Sequence, residues 1–188
     1  MKKTIKIGFQ GDVDSNSEEA SHKFATELNL KNIIYIPLIT SQNVVRALEN
    51  KEIDFGVMAI KNNSAGPVIE TQKALTEKIN LIKSIDIKIH HALFTKTKKC
   101  QIKFIASHIQ ALNQTKTNCK KILPNTIQIE CSDTAVAAKM LAEEKYPNTY
   151  AVICRKNAGL NYNLFLLAEN IEDNPDNKTT FGLFELKN

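Results

Sequence analysis

Apolar positions in the first eighty residues form short runs separated by longer, mixed stretches. "TIKIGFQ" (4–10), "NIIYIPL" (32–38) and "DFGVMAI" (54–60) are rich in Ile, Val and Phe and predict strands. Between them the spacing changes. Ser17 is read as the N-cap of a helix running to about Leu28, with Glu18 and Glu19 in its first turn. Ser41 is read as the cap of "SQNVVRALEN", where Val44, Val45 and Leu48 recur at helical spacing. After the polar "KNNSAGP", Pro67 suits the first turn of a third helix through "VIETQKALTEK". This β-α-β-α-β-α order predicts an open α/β sheet with helices on its faces.

"LIKSIDIKIHHALFT" (81–95) breaks the rhythm: it is long and β-rich, as expected of a segment that crosses to a second lobe. A second set follows, with strands at 102–107, 126–130 and 150–154 and helices at about 108–123 and 133–145. "LFLLAENIED" (164–173) reads as a long return strand. The expected fold class is α/β in two lobes, lobe 1 being residues 1–80 plus 165–188 and lobe 2 residues 81–164. Ligands of such sheets sit at the carboxyl ends of the strands, so a cleft between the lobes is the expected site. The loops "GDVDSNS", "KNNSAG", "SHIQ" and "CSDTA" all leave predicted strand ends, and all four are expected to face that cleft.

Composition narrows the function. The 188 residues are 43% hydrophobic and 24% charged, an ordinary globular balance without Trp. The net charge of +5 comes almost wholly from lysine, since Arg46 and Arg155 are the only arginines. No clustered basic stripe is present, which argues against nucleic acid as a partner. Cys100, Cys119, Cys131 and Cys154 lack paired metal-ligand spacing, so no metal is expected. "MKKTIKIGF" has no apolar signal core and no stretch reaches transmembrane length, so the expectation is a cytoplasmic protein without a membrane partner.

Five stretches in order resemble the prephenate dehydratase family. "GFQGDVDSNSEEA" resembles its opening motif, "GVMAIKNNSAGPV" its GVVPIENSxxGxV motif, and "ASHIQAL" its SHPQAL motif. "SDTAVAAKML" resembles the TAxAA segment and "LLAENIEDNPDNKTTF" the closing AxNIxDxxxNxTRF. The resemblance covers nearly the whole chain. It implies two lobes like those of a type II periplasmic binding protein, with the active site in the inter-lobe cleft. It also implies conversion of prephenate, or in some relatives arogenate, with loss of water and carbon dioxide in the making of phenylalanine. Aromatisation drives that elimination, so no cofactor is implied. The likeness further implies a homodimer. Many members carry a C-terminal ACT domain; this chain stops soon after the closing motif, so none is expected, nor feedback through one.

The site implied by the resemblance has Thr179 as hydrogen-bond donor to the leaving oxygen, with Asn62 and Gln110 orienting the ring and carboxylates. Ser17, Lys61, Asn63, Ser64, Ser107, His108, Thr134, Arg155 and Phe181 are the expected substrate contacts. Plainer readings stand beside these: Ser17 and Ser107 as helix caps, Asn62 as a turn residue, Gln110 as a solvated side chain, His91 and His108 as structural imidazoles. Several positions depart from the motifs. Thr180 stands for the arginine of TRF, Lys61 for the glutamate of ENS and Asn63 for its serine. Ile109 replaces the proline of SHPQAL, and Asp14 the loop glycine of the opening. Lys61 and Arg155 are the cations expected to replace the missing guanidinium. Two alternatives to a dehydratase stay open: a silent relative that binds a small carboxylate, and an enzyme that decarboxylates prephenate without eliminating water.

Overall fold

The computed structural model describes residues 4–187. In chain order the elements are β1 (Ile5–Phe9), α1 (Asn16–Glu27), β2 (Ile33–Pro37), α2 (Ser41–Glu49), β3 (Phe55–Asn62), β4 (Gly66–Pro67), α3 (Ile69–Ala74) and β5 (Ile79–Lys88). Then come β6 (Ala92–Thr95), β7 (Phe104–Ser107), α4 (Ile109–Gln114), α5 (Lys116–Ile122), β8 (Ile127–Glu130), α6 (Thr134–Ala142), β9 (Tyr150–Cys154), α7 (Lys156–Asn161), β10 (Phe165–Glu169) and β11 (Lys178–Leu186). They form two compact α/β units, the fold class read from the pattern. The first comprises the chain through Ile89 and again from Lys178; the second is His90–Asn177.

The first unit holds a sheet in the order β2-β1-β3-β11-β5, with β4 paired to the end of β3. β1 runs parallel to β2 and β3, whereas β11 is antiparallel to both β3 and β5. One face packs Ile7, Phe9, Val57, Ile87 and Leu183 against Phe24 and Ala25 of α1. The other packs Met58 and Phe184 against Val44, Val45 and Leu48 of α2. Each fully buried aliphatic or Phe side chain contributes about 1.5–3 kcal/mol, which is what holds the helices to the sheet.

In the second unit the order is β10-β6-β9-β7-β8. β7 is parallel to β8 and β9, β6 runs against that direction, and β10, antiparallel to β6, runs with it again. Ala137, Ala138 and Leu141 of α6 cover one face, and Ala111 and Leu112 of α4 with Cys119 of α5 the other.

Several local expectations are corrected. α1 is capped by Ser15, whose hydroxyl accepts the Glu18 N–H, and Ser17 lies inside the helix. Thr40, not Ser41, caps α2, and Ser41 is buried with its hydroxyl 2.9 Å from that of Thr71. Pro67 is in β4 and the helix after it lasts only six residues. Residues 81–95 are two strands interrupted before Ala92, and 164–173 contain a five-residue strand. The helix expected over 108–123 is two, separated at Thr115, whose hydroxyl bonds back to the Ala111 carbonyl. The division between the units falls at Ile89/His90 and Asn177/Lys178, whereas the sequence reading put it near 80 and 164. β5 stays with the first unit because it pairs with β11 along its whole length, from Lys88 to Ile79.

Candidate active site

β3 does not stop at its apolar residues but runs on through Lys61 and Asn62. The antiparallel register sets Asn62 directly across from Thr179, near the start of β11. Asn62 Nδ2 donates to Thr179 Oγ1 at 2.9 Å and to the Lys178 carbonyl at 3.1 Å. Its Oδ1 accepts the N–H groups of Ser64 and Ala65, both at 2.9 Å. One carboxamide therefore shapes the turn after β3 and fixes the threonine hydroxyl. Both side chains are buried. A hydroxyl that accepts one bond still has its proton to give, and accepting polarises it into a better donor.

The other expected contacts of the first unit are placed as follows. Asn63 N–H donates to the Lys178 carbonyl and its Oδ1 accepts the Lys178 N–H, each at 2.9 Å. Ser64 is exposed beside it. Ser17 is buried in α1, and its carbonyl accepts the Ser21 hydroxyl. Phe181 is buried in the α1-side core, a packing position. Lys61 and Thr180 are register partners, one step along from Asn62 and Thr179. Side chains alternate across a strand, so Lys61 and Thr180 lie on the opposite face of the sheet from the Asn62–Thr179 pair. There Thr180 Oγ1 donates to Asp86 Oδ1 at 2.7 Å, and Lys61 is exposed. Asp14 adopts φ 65°, which explains why a glycine suits that position and how an aspartate, tolerant of the left-handed region, can replace it.

In the second unit the carboxyl ends of β7, β8 and β9 bring Ser107, His108, Thr134 and Arg155 to one end of the sheet. Ser107 is fully buried, its hydroxyl donating to the Ile153 carbonyl at 2.6 Å. It ties β7 to β9 and does not cap α4; His108 does, its Nδ1 accepting the Gln110 N–H at 3.3 Å. Gln110 is exposed. Thr134 opens α6 behind its Asp133 cap, and Arg155 precedes α7, a helix the sequence reading missed.

At this end lies a network that the sequence reading also missed. Gln114 Oε1 is 2.9 Å from His91 Nε2 and accepts from Asn177 Nδ2 at 3.1 Å. Glu172, buried, accepts the His91 N–H at 3.0 Å and pairs with His90 Nδ1 at 2.7 Å. Asn177 stands two residues before Thr179 within a quoted motif, which was the available signal; nothing in the sequence separated Gln114 from Gln110, one helical turn away. Burial works to raise the Glu172 pKa, but the His91 N–H, its own backbone and His90 hold it below its ordinary value. Among the described residues, no group of three or more His, Cys, Asp or Glu is placed to hold a metal ion, and no helix is long and apolar enough to cross a membrane.

His91 is 5% exposed, and its Nδ1 is buried without a hydrogen-bond partner. Burial pushes its pKa down, outweighing the opposing effects of Gln114 and Glu172, while nearby His90 pushes it down further. A proton on Nδ1 would have no acceptor, so the imidazole is held neutral. The unfolded chain takes up that proton more readily, so the stability from neutral His91 is complete above the ordinary histidine pKa of about 6.5. It is lost as pH falls through that value toward the lower folded one. Denaturant midpoints at pH 7.5 and 5.5 are expected to fall on acidification, and to fall less in His91→Gln. Equal slopes in the two proteins would refute this.

Comparison with known proteins bears on what this geometry serves. The chain is 34% identical over 179 residues to the prephenate dehydratase of Methanocaldococcus jannaschii, covering 91% of this chain and 61% of that protein. It is 28% identical to chloroplastic arogenate dehydratase 5 of Arabidopsis thaliana, covering 95% and 41% respectively. The chain thus spans less than two thirds of the length of either relative. Among solved structures, a prephenate dehydratase from Arthrobacter aurescens in complex with L-Phe superposes with a TM-score of 0.87 at 25% identity, covering 98% of this chain and 61% of that one. A nutrient binding protein from Burkholderia cenocepacia bound to methionine shares the fold at a TM-score of 0.53 and 16% identity, covering 97% and 85%. The model of the prephenate dehydratase family matches residues 7–188. With Asn62 and Thr179 paired where its motifs put an amide and a threonine, the chain belongs to the prephenate dehydratase family.

Proposed function

We propose that this chain is the catalytic part of a dehydratase acting on prephenate or arogenate. The observation that carries the reading is the Asn62–Thr179 hydrogen bond at the end of β3, in a chain of this family. In the reaction the bond from the ring to its carboxylate breaks and leaves carbon dioxide. The released electron pair moves through the ring, and the carbon–oxygen bond at the opposite position breaks. The departing hydroxide takes a proton and leaves as water, and the ring becomes aromatic.

The protein's task is to stabilise oxygen as negative charge grows on it. Thr179, oriented by Asn62, serves as the donor. A threonine hydroxyl is too weak an acid to surrender its proton outright, so it acts by hydrogen bonding or by relaying a proton from water. Gln110, His108, Thr134 and Arg155 of the second unit are proposed to serve the same substrate, Arg155 as the cation for a carboxylate, with Ser107 holding β7 to β9 beneath them. On the first unit Ser64 and Ser17 are proposed for this role rather than Lys61, which is exposed on the opposite sheet face.

The substrates differ only in a pyruvyl or alanyl end. Incubation with each at neutral pH, following phenylpyruvate or phenylalanine against the spontaneous reaction, decides between them. Release no faster than background with both would sink the enzyme reading; ligand-induced stabilisation in that case would favour a binding protein. A non-aromatic product would mark a decarboxylase. A reducing, cytoplasmic setting is proposed because the four cysteines, all among the described residues, form no disulfide. A homodimer is proposed on the family likeness, and a monomer in light scattering would refute it.

A further inference from the structure

Thr179 can place its hydroxyl only as well as its strand is held, and the two residues flanking it are each pinned by a side chain on a different neighbouring strand or turn. On the near side is Lys178. Its carbonyl accepts from Asn63 N–H, and its N–H donates to Asn63 Oδ1, both at 2.9 Å. β3 has ended at Asn62, so no backbone carbonyl continues the ladder there. The Asn63 side chain supplies the missing acceptor and extends the β3–β11 pairing by one step. On the far side is Thr180, whose hydroxyl donates to Asp86 Oδ1 of β5 at 2.7 Å. Thr180 and Asp86 are also register partners, so this bond reinforces the pairing of β11 with its outer neighbour.

We infer that Asn63 and Asp86 are positioning residues for Thr179, acting through Lys178 and Thr180 to fix the rotation and advance of β11. This rests on the dehydratase reading above and extends it to two side chains that need not touch the substrate. A register shift between Thr180 and Phe181 interrupts the β3–β11 ladder next to the bracketed residue, while β11 keeps an unbroken register with β5 from Lys178 to Leu183. An irregular step weakens register beyond it, and the bracket encloses the one residue whose hydroxyl must stay in place. The polar residue at 180 is then part of the bracket and not a vacancy left by a lost cation.

The test uses the full chain with Asn63→Ala, Asn63→Asp, Asp86→Ala and Asp86→Asn. Amide hydrogen exchange at Lys178 and Thr179 is read beside kcat and KM. Loss of one net hydrogen bond corresponds to about fivefold. Asn63→Ala should speed Lys178 exchange by about that factor and lower kcat by about 5–10-fold, with KM within about twofold. Asn63→Asp, which keeps an acceptor oxygen, should restore the protection. Asp86→Ala should lower kcat by about threefold, and Asp86→Asn should recover it. Parent-like exchange of Lys178 in Asn63→Ala overturns the inference, as does a loss carried by KM, which would make Asn63 a substrate contact. If the parent shows no dehydratase activity while exchange responds as described, the bracket stands and the functional reading falls.

Discussion

Thr179→Ala should lower kcat by about 10²–10³ and leave KM within a few-fold, the size of effect seen when a single donor to a developing oxyanion is removed. The reason lies in when the bond is used. The leaving oxygen carries little charge in bound substrate and much in the transition state, so the hydroxyl does little for binding and a great deal for turnover. Folding should suffer less: Asn62 Nδ2 keeps its bond to the Lys178 carbonyl, and losing one hydrogen bond costs about 1 kcal/mol. Thr179→Ser keeps the oxygen and should retain most activity. If serine and alanine are equally impaired, the methyl group's packing, not the hydroxyl, is what matters. Initial rates over a range of substrate concentration, with thermal unfolding of each variant, decide.

An equally large loss is expected from Asn62→Asp, for a different reason. The aspartate keeps the oxygen that accepts from Ser64 and Ala65, so the turn after β3 should survive. What it loses is the amide that donates to Thr179 and Lys178. A carboxylate oxygen there faces the Lys178 carbonyl and turns the threonine into a donor toward residue 62. The hydroxyl proton is then committed to the protein and not to the departing oxygen. Turnover should fall about as far as in Thr179→Ala, and Asn62→Asp with Thr179→Ala together should be scarcely worse than either alone, since both remove the same donor. Multiplying losses would mean that Asn62 acts on the substrate independently. Asn62→Ala should in addition lower the unfolding midpoint, because two turn amides lose their acceptor.

The order of strands and helices was legible because apolar periodicity reports burial directly, and most sheet strands here alternate or run apolar. Helix starts were less so. Ser15 and Ser17, like Thr40 and Ser41, are chemically equivalent caps, and only the tertiary path decides which one lies outside the first turn. The strand ends that carry the site were misjudged for a related reason. Lys61 and Asn62 look like loop residues, but β4 and β11 pair with them and carry the strand onward. Thr179 and Thr180 likewise resemble a connection in sequence and are strand residues in fact. α7 has too short a pattern, "KNAGLN", to betray itself. The motifs located Asn62 and Thr179, but not that Lys61 and Thr180, counted as separate departures, are one cross-strand pair.

The position of β11 bears on how the chain is made. It lies between β3 and β5, yet it follows the entire second unit in sequence. During synthesis the first unit therefore emerges with β5 lacking β11, its neighbour in the sheet, and with the flank of β3 away from β1 and β4 unpaired. Those apolar edges must wait while 88 further residues, 90 to 177, are translated. At about 5–20 residues per second the wait is on the order of 4–18 seconds, during which the continuous second unit can fold by itself. β11 thus closes the first sheet and delivers Thr179 in the same step, after the second unit has been made. A nascent chain has no threonine hydroxyl at the end of β3 until that sheet is closed.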